Sequence, residues 1–162
     1  YWLKNGIVDI GFLPLSSAGD LPIEPLYRDP LLCVVPKDYR KREDTPYMTP
    51  DEMKDQVFVS QMETTDADIA IFMKQNGLGN VRMDYHVVDD LSTIALVAAG
   101  LGICIMPELV MNDIPYEVHR YPMMPEAYRV IGISALNPNF LAPAVKMLYQ
   151  HVVEKYKTIE EA

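Results

Sequence analysis

The segment Ser60-Gln61-Met62-Glu63-Thr64-Thr65 places hydroxyl and amide side chains where a short apolar run, Val57-Phe58-Val59, gives way to a helical pattern. A strand that ends in a polar loop just ahead of a helix presents unpaired backbone N–H groups and the positive end of the helix dipole. Both suit a carboxylate or another anion. The competing use of the same residues is plain helix capping by Ser60, Thr64 and Thr65, and Thr65 with Asp68 three positions on forms a capping-box pattern. Glu63 opposes a strongly anionic ligand unless it points away.

No other group of reactive side chains converges. His86, His119 and His151 are far apart and share no ligand spacing, and the two cysteines form no Cys-x-x-Cys pair, so no metal site is expected. Cys33 and Cys104 both sit in apolar runs, where a thiol is usually buried and inert. There is no Gly-x-Ser-x-Gly elbow to raise a nucleophile. Gly100 and Gly102 precede a strand rather than a helix, which fails the test for a dinucleotide-binding loop. No catalytic residue and no cofactor is assigned.

The elements that must carry the polar loop alternate in type. Tyr1–Asn5 reads as a last helical turn stopped by Gly6, and residues 7–12 as a short strand. Residues 14–25 read as loop. Leu31–Val35 is a continuous apolar strand closed by Pro36. A helical turn over 51–54, a strand at 57–59 and a helix to about Asn76, ended by Gly77, follow. A strand over 81–88 leads to a helix capped by Asp89 or Asp90, with Leu91, Ile94, Ala95 and Ala98 as its apolar face and Gly100 as its stop. Residues 101–106 are apolar on both faces, as a central parallel strand would be. Two strands near 116–121 and 129–135 precede a long helix, in which Val145, Leu148, Tyr149, Val152, Val153 and Tyr156 form one stripe behind Pro143.

This alternation predicts an α/β fold with mostly parallel sheets. The chain crosses naturally between two lobes at the apolar strand 31–35 and at Met106-Pro107. Residues 1–30 and 107–162 would then form lobe I, containing both ends, and residues 31–106 an inserted lobe II.

A net charge of −9 over 162 residues repels phosphate backbones, so these residues are not expected to bind nucleic acid on their own. The basic cluster Arg40-Lys41-Arg42 is followed at once by Glu43-Asp44 and reads as a solvated loop. Few cysteines, no secretory leader and no membrane-length apolar run fit a reduced, cytoplasmic setting without membrane contact.

Three segments carry a resemblance. Residues 97–107, Val-Ala-Ala-Gly-Leu-Gly-Ile-Cys-Ile-Met-Pro, resemble the V-A-A-G-x-G-I-x-x-x-P run of LysR-type effector domains. Gly6-Ile7-Val8-Asp9-Ile10-Gly11-Phe12 is similar to their G-x-L-D-[IL]-[AG]-[IF] segment, and Leu26–Pro36 to their P-L-x-x-[DE]-x-L-x-x-V-x-P stretch. All three agree in order and spacing, and the match covers essentially the whole chain. Two positions depart: Tyr39-Arg40-Lys41 stands where the family often has His-Pro-Leu, and Ala142 where a serine commonly caps the last helix.

The resemblance implies a two-lobed, periplasmic-binding-protein-like (type 2) architecture with the first lobe incomplete. It implies a sensing domain that binds a small-molecule inducer, for which a carboxylate is a candidate, in a cleft between the two lobes, and that thereby controls the geometry of a homodimer or homotetramer on DNA. DNA would be touched only by a winged helix-turn-helix absent from these residues. The resemblance puts inducer contacts at Ser60 and its neighbours Gln61, Met62, Thr64 and Thr65. It adds Phe12 and Leu13 at the end of the first strand, and Asp89 and Asp90 at the start of the third helix. A core role for Phe12 and a capping role for one of the aspartates are the competing readings. A solute receptor or an enzyme on the same fold is the alternative at the level of function, and a sensor that serves only as a dimerisation platform is a third.

Overall fold

The computed structural model describes residues 1–61 and 67–156. Its elements run β1 (Gly11–Pro14), β2 (Ile23–Pro36), α1 (Pro50–Met53), β3 (Val57–Gln61), α2 (Ala67–Gln75), β4 (Arg82–Val87), α3 (Asp90–Ala98), β5 (Cys104–Pro107), β6 (Val118–Pro122), β7 (Tyr128–Ser134) and α4 (Pro143–Tyr156). The chain divides into two compact units, Tyr1–Asp29 with Arg129–Ala162, and Pro30–Tyr128.

In the smaller unit, Gly6 adopts a left-handed φ of 65° after the turn at Tyr1–Asn5, as a helix stop requires. The strand expected from Ile7 begins only at Gly11, and Ile7 is exposed. β7 lies between β1 and β2, antiparallel to β1, with Phe12 opposite Ile133. Gly132 lies against β2: a Cβ there would sit 2.6 Å from the Glu24 carbonyl oxygen. Asp29 is fully buried and accepts from Arg129 Nε at 2.9 Å. The expected stripe of α4 is only partly covered. Val145, Tyr149, Val152 and Val153 are half-buried, while Leu148 and Tyr156 are exposed.

In the larger unit β2 continues between β5 and β6, both antiparallel to it. Its side chains alternate: Leu31, Cys33 and Val35 enter one apolar cluster, Leu32 and Val34 the other. That two-sided burial explains the continuous apolar run, because successive side chains of a strand point to opposite faces. It does not fix strand direction. β3–β4 is parallel, whereas β1–β7, β2–β5 and β2–β6 are antiparallel, so the expectation of mostly parallel sheets is corrected to a mixed arrangement. Burial on both faces marks an interior strand of either kind, and here the later strands return along β2 in the opposite sense. Because β6 pairs along Leu32–Pro36, the stretch 107–128 lies in this unit, which ends at Tyr128.

The basic cluster is not simply a solvated loop. The Lys41 side chain is 9% exposed and its ammonium donates to both carboxylate oxygens of Glu52, at 3.0 and 3.1 Å. It also donates to Thr45 Oγ1 at 2.6 Å and to the Glu43 carbonyl at 3.1 Å. Glu52 completes a capping box with Thr49 at the start of α1. One buried ion pair thereby closes the segment 41–53 on itself.

Candidate functional site

β3 is the central strand of a small parallel array in the larger unit. On one edge it pairs with β4, Ser60 opposite His86 and Gln61 opposite Val87. On the other edge it forms a single parallel bridge to Ile103: the Val59 N–H donates to the Ile103 carbonyl and the Ile103 N–H to the Val57 carbonyl, both at 2.9 Å. α2 packs on the Phe58 face through Phe72 and Met73, and α3 on the Val59 face through Ile94 and Val97. The chain therefore leaves β3 toward β4, comes back across the opposite face, and enters the other side at residue 103. The carboxyl end of β3 is a topological switch point, where open α/β sheets hold ligands.

Gly102 allows the close approach that forms the bridge. A Cβ at that position would lie 2.5 Å from the Val57 carbonyl oxygen. Gly100, with φ of 82°, ends α3 two residues earlier. Each glycine of the Gly100-x-Gly102 pair thus has its own backbone reason.

Beyond the bridge, β3 and β5 form two arms of a fork, and a cavity of about 530 Å³ is lined by both arms and by α2, β4 and α3, within the size range of small-molecule sites. Ser60 from β3, Thr93 from α3, and Ile105 and Met106 from β5 line it. Phe58, Met73, Leu78 and Met83 form its apolar walls. Thr93 is 1% exposed and donates its hydroxyl to the Asp89 carbonyl at 3.0 Å, which leaves its oxygen lone pairs as acceptors.

Of the residues singled out in the sequence, Ser60 is half-buried and lines this cavity. The Gln61 backbone closes β3. Met62, Thr64 and Thr65 lie outside the described residues, as does the proposed Thr65 cap. Asp89 is the N-cap of α3: one carboxylate oxygen accepts from the Ser92 N–H and the other from the Ser92 hydroxyl, each at 2.8 Å. Those hydrogen bonds, the backbone one foremost, hold its carboxyl below the usual aspartate range. Asp90 occupies the first turn of α3. Phe12 and Leu13 sit on β1 of the smaller unit, and Phe12 is 60% exposed, so it is not a core residue.

Sequence reasoning missed Thr93 because it assigned the apolar face of α3 to Leu91, Ile94, Ala95 and Ala98. The buried positions are Thr93, Ile94 and Val97, while Leu91 is half exposed. The available signal was a hydroxyl four residues after a capping aspartate, where it can bond back to a carbonyl.

Both thiols are buried, and burial pushes each well above the usual cysteine range. They also belong to different apolar clusters, Cys33 on one face of the sheet and Cys104 on the other. Among the described residues no group of histidine, cysteine and carboxylate side chains could hold a metal ion, and no helix is long and apolar enough to cross a membrane.

The family model described as the LysR substrate binding domain matches residues 1–157. A probable helix-turn-helix transcriptional regulator, LrrA of Synechococcus elongatus, is 25% identical over 146 residues, covering 88% of this chain and 48% of the relative. An uncharacterised helix-turn-helix regulator, YybE of Bacillus subtilis, is 29% identical over 167 residues, covering 96% of this chain and 55% of the relative. The chain thus spans about half the length of the curated relatives it matches. Among solved structures, the effector binding domain of QuiR in complex with shikimate superposes with a TM-score of 0.81 at 20% identity, covering 98% of this chain and 76% of that one. With a family match along nearly its full length and a fold shared with an effector domain, the chain belongs to the LysR substrate binding domain family.

Proposed function

We propose that this chain is the ligand-sensing part of a LysR-type transcription regulator, and that its inducer binds at the fork between β3 and β5. The observation that carries the reading is the cavity of about 530 Å³ that runs beneath α2 from Ser60, near the carboxyl end of β3, with Ser60 and Thr93 as the hydroxyl groups among its described lining. No convergent nucleophile, base or metal cluster accompanies it among the described residues, which favours binding over catalysis. A metabolite that prefers one arrangement of the two units would shift the population toward it and so reposition attached DNA-binding domains. A periplasmic-binding-protein-like lobe assignment, cytoplasmic location and self-association into dimers or tetramers belong to the same proposal.

Ser60, Gln61, Phe12, Leu13, Asp89 and Asp90 remain candidate contacts, with Asp89 the weakest because capping occupies both of its carboxylate oxygens. The test is Ser60→Trp in the full-length regulator, read by a promoter reporter and by operator binding. Induction should be lost while operator binding persists. An unaltered induction would move the inducer away from this fork.

A further inference from the structure

The walls of the fork cavity differ sharply from its rim. Phe58, Met73, Leu78, Thr93, Ile105 and Met106 are all buried, and none of them carries a charge. Ala70, Lys74 and Gly79 line the same space and are exposed, so the cavity opens to solvent alongside α2. Among the described residues of the lining, Lys74 is the single charged one. It has no hydrogen-bond or ion-pair partner among the described residues, whereas Lys4, Lys37, Lys41 and Lys54 all hold carboxylates. In a chain of net charge −9, a cation left without a local carboxylate at the mouth of an apolar chamber offers a place for a ligand's negative charge.

We infer that the cavity takes an amphipathic monoanion, its acyl or aryl body seated among Met73, Met83, Met106, Leu78 and Ile105 and its carboxylate on the rim at Lys74. This names the ligand class of the fork and rests on the reading of the fork as the inducer site. Three methionines in the lining make the chamber adaptable in shape, because the unbranched thioether repacks at little cost. Selectivity should therefore follow the length of the apolar body more than its outline. A dianion would find one cation and, among the described residues, an otherwise uncharged lining, and a small polar acid would leave the chamber unfilled.

The experiment is isothermal titration of the 162-residue chain with butanoate, hexanoate and octanoate, with succinate and hexanol as controls. Affinity should rise roughly tenfold for each two methylenes added, since each buried methylene contributes a nearly constant increment. Succinate should not bind, and hexanol should bind at least tenfold more weakly than hexanoate. Lys74→Glu should weaken octanoate tenfold or more, and Ala70→Trp, which blocks the exposed rim, should abolish binding. Both positions are exposed, so each variant should melt as the parent does without ligand. Binding of octanoate that survives Ala70→Trp, or that is indifferent to Lys74→Glu, would overturn the assignment. Two further outcomes separate the inference from the reading beneath it. If octanoate fails but shikimate binds in a manner lost in Ser60→Trp, the ligand class falls and the inducer site stands. If neither binds, both fall.

Discussion

Lys41 and Glu52 carry more of the larger unit's stability than their surface-loop sequence context suggests. Burial alone would raise the Glu52 carboxyl, but hydrogen bonds from Lys41 and from the backbone N–H groups of Thr49 and Glu43 outweigh it and hold the group below its ordinary value of 4.5. A carboxyl depressed in the folded state stabilises fully above its unfolded value, and that stabilisation is lost as pH falls through the lower folded value. Glu52→Gln leaves the Lys41 charge buried without a counterion and should cost about 3 kcal/mol in urea unfolding near neutral pH. The difference from the parent should shrink between about pH 5 and 3, as the parent's own carboxyl protonates. A constant difference across that range would place the stabilisation elsewhere. At this scale the sequence was only partly legible. Ser60 could be read from its place at the end of a strand, but Lys41 could not be told from Arg40 and Arg42, because which of three adjacent cations turns inward depends on a glutamate eleven positions away.

Among the elements, β3 and its two edges decide the geometry of the fork. Gly102→Ala puts a methyl group against the Val57 carbonyl, a backbone atom that cannot rotate aside, and should destabilise the chain by about 1–3 kcal/mol. It should also weaken ligand binding at the fork, because the β3–Ile103 bridge fixes the spacing of its two arms. Full retention of stability in a denaturation curve would mean that the bridge relaxes freely. The elements themselves were readable from local pattern: α2, β4, α3 and the final helix all lie where capping residues, glycine stops and periodicity put them. Strand direction was not, since an apolar run on β2 or β5 is the same whether its neighbour runs with it or against it. The length of β2 was also hidden. It starts at Ile23, inside a stretch whose Pro22 and Pro25 read as loop, and proline within a strand is tolerated where its missing N–H is not needed by a neighbour.

For the molecule as a whole, net charge decides which polymers the chain can approach. At −9 the chain should leave duplex DNA unshifted in gel mobility at low salt, where any phosphate affinity is strongest. A salt-sensitive shift would reveal a cationic surface that the composition hides. The family itself was legible from three spaced motifs. The fork was not, because it is made by residues near 60, 93 and 105 that only the crossing of α3 brings together. The central claim is that this fork binds a small effector. Its most direct test is a thermal-shift screen of small carboxylic acids, shikimate and octanoate among them, run in parallel on the parent chain and on Ser60→Trp. At least one acid should raise the melting temperature of the parent by several degrees and leave the variant unmoved. A panel that stabilises neither, or both equally, would contradict the claim.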